Sequence, residues 1–162
     1  MDSVNLIRAV RTVVANDSII RTALGSNSAA TALSTQLFHK DGLYSRKSTQ
    51  EYVYPHIAFK LDSDSPAIKG ADDNAVMLFA DIVNMPNKAD FISNCYKCMD
   101  RLKTLLVDKP NVLNNIALTF SPAVVLKVRD VSWVSGTTYD DKEQGSERKH
   151  RIICMLKMVV GD

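Results

Sequence analysis

The chain has 162 residues, 46% hydrophobic and 23% charged, with a formal net charge of +2. These values fit one globular domain with its own core, and they exclude a wholly disordered chain or a miniprotein that needs staples. The charge is too small to argue for nucleic acid, and no apolar run approaches the roughly 20 residues of a membrane helix.

Leu6, Ile7, Val10, Val13 and Val14 recur at three- and four-residue intervals, which predicts a helix buried along one face, with Asp2 or Ser3 as its cap. The amphipathic N-terminus does not read as a secretory leader. Asp17 can cap a short second helix through Ile20 and Leu24, and Gly25 is its natural stop. Residues 26–50 are small and polar, then carry the turn signal Asp41-Gly42. They predict an extended arm or a short hairpin bearing Lys40, Arg46 and Lys47.

The run EYVYPHIAFKLDSDS predicts a strand over 52–61 with Pro55 at its mouth. Proline cannot donate to a ladder, so the run reads as an edge strand or an unpaired entry. Tyr54 and His56 then belong to an entry turn or an interface. A second strand over 74–85 is apolar on both faces and reads as central and covered on both sides.

Pro86 stands where a helix would begin. The stripe Ala89, Ile92, Cys95 or Tyr96, Met99, Leu102, Leu105 and Leu106 predicts a helix of about twenty residues packed by one face. A short strand is expected within 112–120. Residues 123–134 and 148–160 both alternate and read as an antiparallel pair joined by a long charged loop, 136–147. The expectation is a single α+β domain over 1–162, with an antiparallel sheet of about four strands and two main helices on one face.

The most motif-like pair is Cys95-Tyr-Lys-Cys98. It falls in mid-helix, with no second Cys/His pair at finger-like spacing, so it reads as packing rather than redox or zinc chemistry. The odd cysteine count (Cys95, Cys98, Cys154) suits folding in a reducing, cytosolic place. His39, His56 and His150 are scattered, and neither a nucleophile elbow nor a phosphate loop is present. Asp72-Asp73 reads as a solvated turn. The expectation is no enzyme, no cofactor and no metal.

Lys127, Arg129 and Trp133 fall on one face of their strand, and Arg148, Lys149 and Arg151 open the next. An antiparallel pairing could bring them together as a nucleic-acid surface. The acids Asp140, Asp141, Glu143 and Glu147 between them favour a protein–protein surface of both signs. Helices on one side of a sheet also leave its other face to meet a neighbour.

The order of these elements, with Tyr54-Pro55-His56-Ile57 opening a strand and VMLFADIVNM forming the next, resembles the tail-terminator (tail-completion) proteins of tailed bacteriophages over nearly the whole chain. The resemblance implies a virion protein assembled in the host cytoplasm: a homohexameric ring that caps the tail tube, stops its growth and presents the surface for the head–tail connector. It implies the tail-tube protein and the connector as partners, the sheath too in a contractile tail, and DNA passing through without sequence-specific binding. No membrane is implied. Another neck or head-closure component shares size and composition, and a nucleic-acid-binding module is the remaining alternative. The long 136–147 loop and the many asparagines and cysteines depart from the family's common pattern.

Overall fold

The apolar stripe of the first segment folds as α1 (Ser3–Asn16), which buries Leu6, Ile7, Val10, Val13 and Val14. All five residues of the predicted stripe are buried, and Ala9 and Ala15 join them. The computed structural model describes residues 3–39, 53–62, 73–85, 90–141 and 149–161. Helix α2 (Ser18–Leu24) starts at Asp17, whose Oδ1 accepts the Ile20 N–H at 3.0 Å. It stops at Gly25, where φ is +68° and a side chain would be strained.

The arm expected over 26–50 is corrected in part. Residues Ala29–Thr35 form α3, and Leu37–His39 form strand β1. The small residues Ala29, Ala30 and Ala32 are strong helix formers, and the Ser28 hydroxyl accepts the Thr31 N–H at 3.1 Å as a cap. Small residues are compatible with both loops and helices, and the Ser28 cap makes this stretch a helix. Residues 40–50 lie outside the described residues, as does the Asp41-Gly42 turn.

Among the described residues the remaining elements are β2 (His56–Asp62), β3 (Asp73–Asn84), α4 (Phe91–Leu106), α5 (Asn111–Ala117), β4 (Val128–Asp141) and β5 (Lys149–Gly161). The sheet order is β1-β2-β3-β5-β4. Strand β1 is parallel to β2 and every other pair is antiparallel, so the sheet has five strands and is mixed. The α+β class stands, while the expected four antiparallel strands become five with one parallel edge.

Strand β2 is not an edge strand, because β1 and β3 flank it. Pro55 does precede the ladder, which begins at His56, so the unpaired entry is the form seen. The Pro55 carbonyl is used as well: Gln36 Nε2 donates to it at 3.0 Å and also reaches Leu24 O. Gln36 O in turn accepts the Ile57 N–H at 2.7 Å. One buried amide thus closes the junction of α2, β1 and β2.

The short strand expected in 112–120 is corrected to helix α5. Leu113 and Ala117 are buried four residues apart, with Ile116 packed between them, which is helical spacing. The 136–147 loop is also shortened. Strand β4 runs on through Asp141 and pairs Gly136 with Cys154 and Asp141 with Lys149. Gly136 has a packing reason to be there, since a Cβ would lie 2.8 Å from Met99 Sδ and 3.0 Å from the Trp133 ring.

Helix α4 begins at Phe91, after Asp90 in the left-handed region at φ 53°, and runs 16 residues. Pro86 lies outside the described residues. The buried register is Cys95, Cys98, Leu102 and Leu106, while Ile92 and Tyr96 are 45% and 40% exposed. Choosing Cys95 over Tyr96 at the ambiguous position rotates the stripe and takes Ile92 out of the core.

Arg101 Nε and Nη2 both donate to Asp17 Oδ2, at 2.9 and 2.8 Å, pinning α4 to the cap of α2. Burial works against the Asp17 carboxylate, but the Arg101 bonds and charge and the Ile19 and Ile20 amides outweigh it and hold its pKa below the usual range. Asp17→Ala is expected to cost about 1–3 kcal/mol in urea unfolding at neutral pH, from a lost cap and a lost charged pair. The depressed pKa adds stability above the ordinary aspartate range that is lost as pH falls through the folded value, so the gap between variant and parent should narrow in acid.

Candidate assembly surfaces

Alternation along the central strands sorts two faces. Ile57 and Phe59 on β2, Leu78, Ala80 and Ile82 on β3, and Ile152, Cys154 and Leu156 on β5 are buried in the core shared with the helices. The register puts Phe59 beside Ala80 and Leu78 beside Leu156 on that face. The intervening residues Ala75, Met77 and Phe79 on β3, and Ile153, Met155 and Val159 on β5, are half-buried. They form an apolar stripe on the sheet's other face, with Phe79 paired to Met155. Strand β3 is central as expected; its second face is half-buried at Ala75, Met77 and Phe79 and buried at Asp81 and Val83.

A charged pair interrupts this stripe. Arg151 Nε donates to Asp81 Oδ1 at 3.2 Å and Nη2 donates to Oδ2. The Asp81 side chain is 8% exposed and that of Arg151 26%. Asp81 was the functional-looking residue missed from sequence. It appears there only as one polar position among apolar ones, and no local signal announces a partner 70 residues away.

His56 lies on the same face, one strand over, and is buried. Its ring sits 5.7 Å from Phe38 and 4.9 Å from Tyr54. Burial lowers its pKa to about 4. Asp81 opposes the shift, while Lys149 and Arg151 add to it. The group is neutral at neutral pH, which suits packing in the strand entry. Because the folded pKa lies below the unfolded one, the unfolded chain takes the proton first as pH falls. Stability from this site is therefore full above about 6.5 and declines toward about 4, by about 3 kcal/mol. His56→Phe, measured by urea unfolding at both ends of that range, should lose less stability in acid than the parent.

The expected basic surface is divided. Lys127 is exposed just before β4, and its carbonyl accepts the Gly161 N–H at 2.9 Å. Arg129 is exposed at the strand's start and faces Asp73 Oδ1 at 3.2 Å. Val128 and Asp130 pair with Val160 and Val159, so Arg129 sits in an irregularity of the ladder. Lys149 and Arg151 instead pair with Asp141 and Tyr139 at the other end. Eight residues of β5 separate Arg151 from Val159, about 27 Å at about 3.4 Å per residue. Antiparallel pairing therefore separates these groups.

Trp133 does not share a face with Lys127 and Arg129. The irregularity at 128–130 shifts the alternation, and the indole packs on the helix side beside Gly136, with Lys103 Nζ 5.5 Å from its ring centre. Tyr54 is half-buried against His56. Lys40, Arg46, Lys47 and Arg148 lie outside the described residues.

Cys95, Cys98 and Cys154 are free and buried in the core. Burial pushes the thiols of Cys95 and Cys154 up to about 12 and that of Cys98 higher still. They pack as small hydrophobes. Among the described residues, no group of three or more His, Cys, Asp or Glu side chains could hold a metal ion. No helix among them is long and apolar enough to cross a membrane.

With this geometry in view, comparison by fold finds a neighbour. The chain is similar to a chain from the virion of a native gene transfer agent particle, with a TM-score of 0.64 and 8% sequence identity. The likeness covers 96% of this chain and 94% of the other. No protein-family pattern and no curated protein matches by sequence. The comparison shows a shared fold.

Proposed function

We propose that the chain is a structural protein of a phage-like particle, and within it a subunit of the hexameric ring that closes the end of the tail tube. The observation that carries this reading is the fold shared end to end with a virion chain. The half-exposed stripe of Met77, Phe79, Ile153 and Met155 supports it, because a ring needs one patch on each subunit to meet a different patch on the next. In this reading the chain is not an enzyme, carries no cofactor and acts in the neck of the particle. Its partners are its own copies, the tail-tube protein, the connector and, in a contractile tail, the sheath, with DNA crossing the ring without being read.

Electron microscopy of the purified protein, alone and mixed with tail tubes, tests this directly. Six-fold rings seated on tube ends are expected. A strictly monomeric mass together with unchanged tube growth would sink it. The same fold observation favours one second reading, a head-closure component, and labelling in intact particles separates the two: density at the tube end supports the first, contact with the portal ring the second. For a nucleic-acid module, the described cations are poorly arranged, since Arg129 and Arg151 both face carboxylates at opposite ends of the sheet.

A further inference from the structure

The two edges of the sheet differ in how they are protected. Strand β1 closes one edge with 3 residues, and its Leu37 carbonyl accepts Arg11 Nε at 2.9 Å. Strand β4 closes the other with 14 residues, and among the described residues no strand pairs with its outer side. Irregularities at 128–130 and 133–135 blunt its first half, but the ladder to β5 is unbroken from Ser135 to Asp141. Residues 131–139 read VSWVSGTTY, with no charge and no proline. Thr137, Thr138 and Tyr139 favour strands and are exposed, as is Gly136. Proteins ordinarily blunt such an edge with lysine, proline or a cover, because its outward N–H and C=O groups are a template for another chain.

An aromatic side chain flanks this bare stretch on each face of the sheet. Thr138 pairs with Ile152 of the core, and the Tyr96 hydroxyl of α4 lies 3.2 Å from Thr138 Oγ1 on that face. Tyr139 pairs with Arg151 and lies on the opposite face. Tyr96 and Tyr139 are 40% and 47% exposed. A strand laid against β4 would gain a main-chain ladder from the edge and an apolar contact on both of its own faces.

We propose that the outer edge of β4, from Ser135 to Asp141, receives an extended, uncharged segment of a partner protein as an added strand. The main chain supplies the affinity, and Tyr96 and Tyr139 select apolar side chains at alternating positions of that segment. A second copy of this chain is a poorer occupant. Its β1 edge is short and engaged by Arg11. Two β4 edges would meet over about 24 Å by about 10 Å, or about 240 Å² on each side. A standard interface between folded proteins buries about 800 Å² per partner. An extended segment is not held off by a rigid body behind it, so it can bury both faces against the two tyrosines. The contact lies on the sheet's edge and not on the stripe of Met77, Phe79, Ile153 and Met155, so the proposal does not depend on ring formation.

Fluorescence anisotropy of the full chain with a short fluorescein-labelled peptide of Val, Ile and Thr between terminal lysines provides the test. The control is the same peptide N-methylated at two adjacent central residues, which removes a donor from each of its edges. It should bind about tenfold more weakly, since a ladder bond is lost and a methyl group meets the strand. Tyr139→Ser should weaken the parent peptide about fivefold with an unchanged unfolding midpoint. Amide exchange should slow on binding at alternate residues of 135–141 and stay unchanged at Leu37–His39. No binding, equal binding of the two peptides, unchanged binding by Tyr139→Ser, or protection at Met77 and Phe79 in place of β4 overturns the proposal. So does slowed exchange along β4 together with a doubled mass in the protein alone, which would make the occupant a second copy. Absent rings with intact peptide binding would count against the proposed function alone.

Discussion

Arg151→Glu is expected to unfold the protein or destabilise it by at least about 3–5 kcal/mol, the range for breaking a buried ion pair by removing one partner. The substitution does more than remove a partner. It places a second carboxylate against Asp81, whose side chain is only 8% exposed. From sequence alone, Arg148 and Arg151 read as cations opening a strand, and their reversal would disturb assembly and spare the fold. The structure reverses that expectation for Arg151, because its guanidinium fork is engaged within the chain. Urea unfolding checks it. The double variant Asp81→Leu with Arg151→Met should recover much of the loss, since replacing both charges by apolar groups of similar size is often near neutral. A fully stable Arg151→Glu protein would mean that the pair does not form.

Much of the fold was legible because it is local. The stripe of α1, the Asp17 cap, the Gly25 stop and the alternation of β3 and β5 are written within a few residues of where they act. What was lost depended on distance or on parity. Helix α3 was hidden because small residues signal both loops and helices, and only the Ser28 cap tells them apart. The register of α4 turned on one residue, Cys95 or Tyr96, and only packing against the sheet decides it. Strand β2 lost its expected edge because three residues, Leu37–His39, return beside it from before the Tyr-Pro step. The candidate surfaces suffered most: a ladder irregularity near Arg129 moved Trp133 to the helix side, and Asp81 and Arg151 meet only through tertiary pairing.

If the proposed ring forms through the open sheet face, Phe79→Ser is expected to separate folding from assembly. Phe79 is half-buried on the open face, paired with Met155 on β5 and Lys60 on β2. Its removal leaves the Leu78–Leu156 core on the opposite face untouched, so most of its burial within the subunit is not at stake. In a ring that covers this face, an aromatic anchor is worth about 2–4 kcal/mol at each contact, or about thirtyfold or more in affinity. The cost recurs at every interface of a closed ring, so a subunit losing it should run as a monomer at concentrations where the parent is assembled. Light scattering behind a sizing column gives the mass, and urea unfolding of the monomer gives the stability. A variant that loses rings but keeps its unfolding midpoint places the interface on the sheet. If rings persist at every concentration where the parent forms them, the open stripe is not the subunit contact. In that case the ring must be built from the helical side or the hairpin ends, and the apolar sheet face is left for the tube.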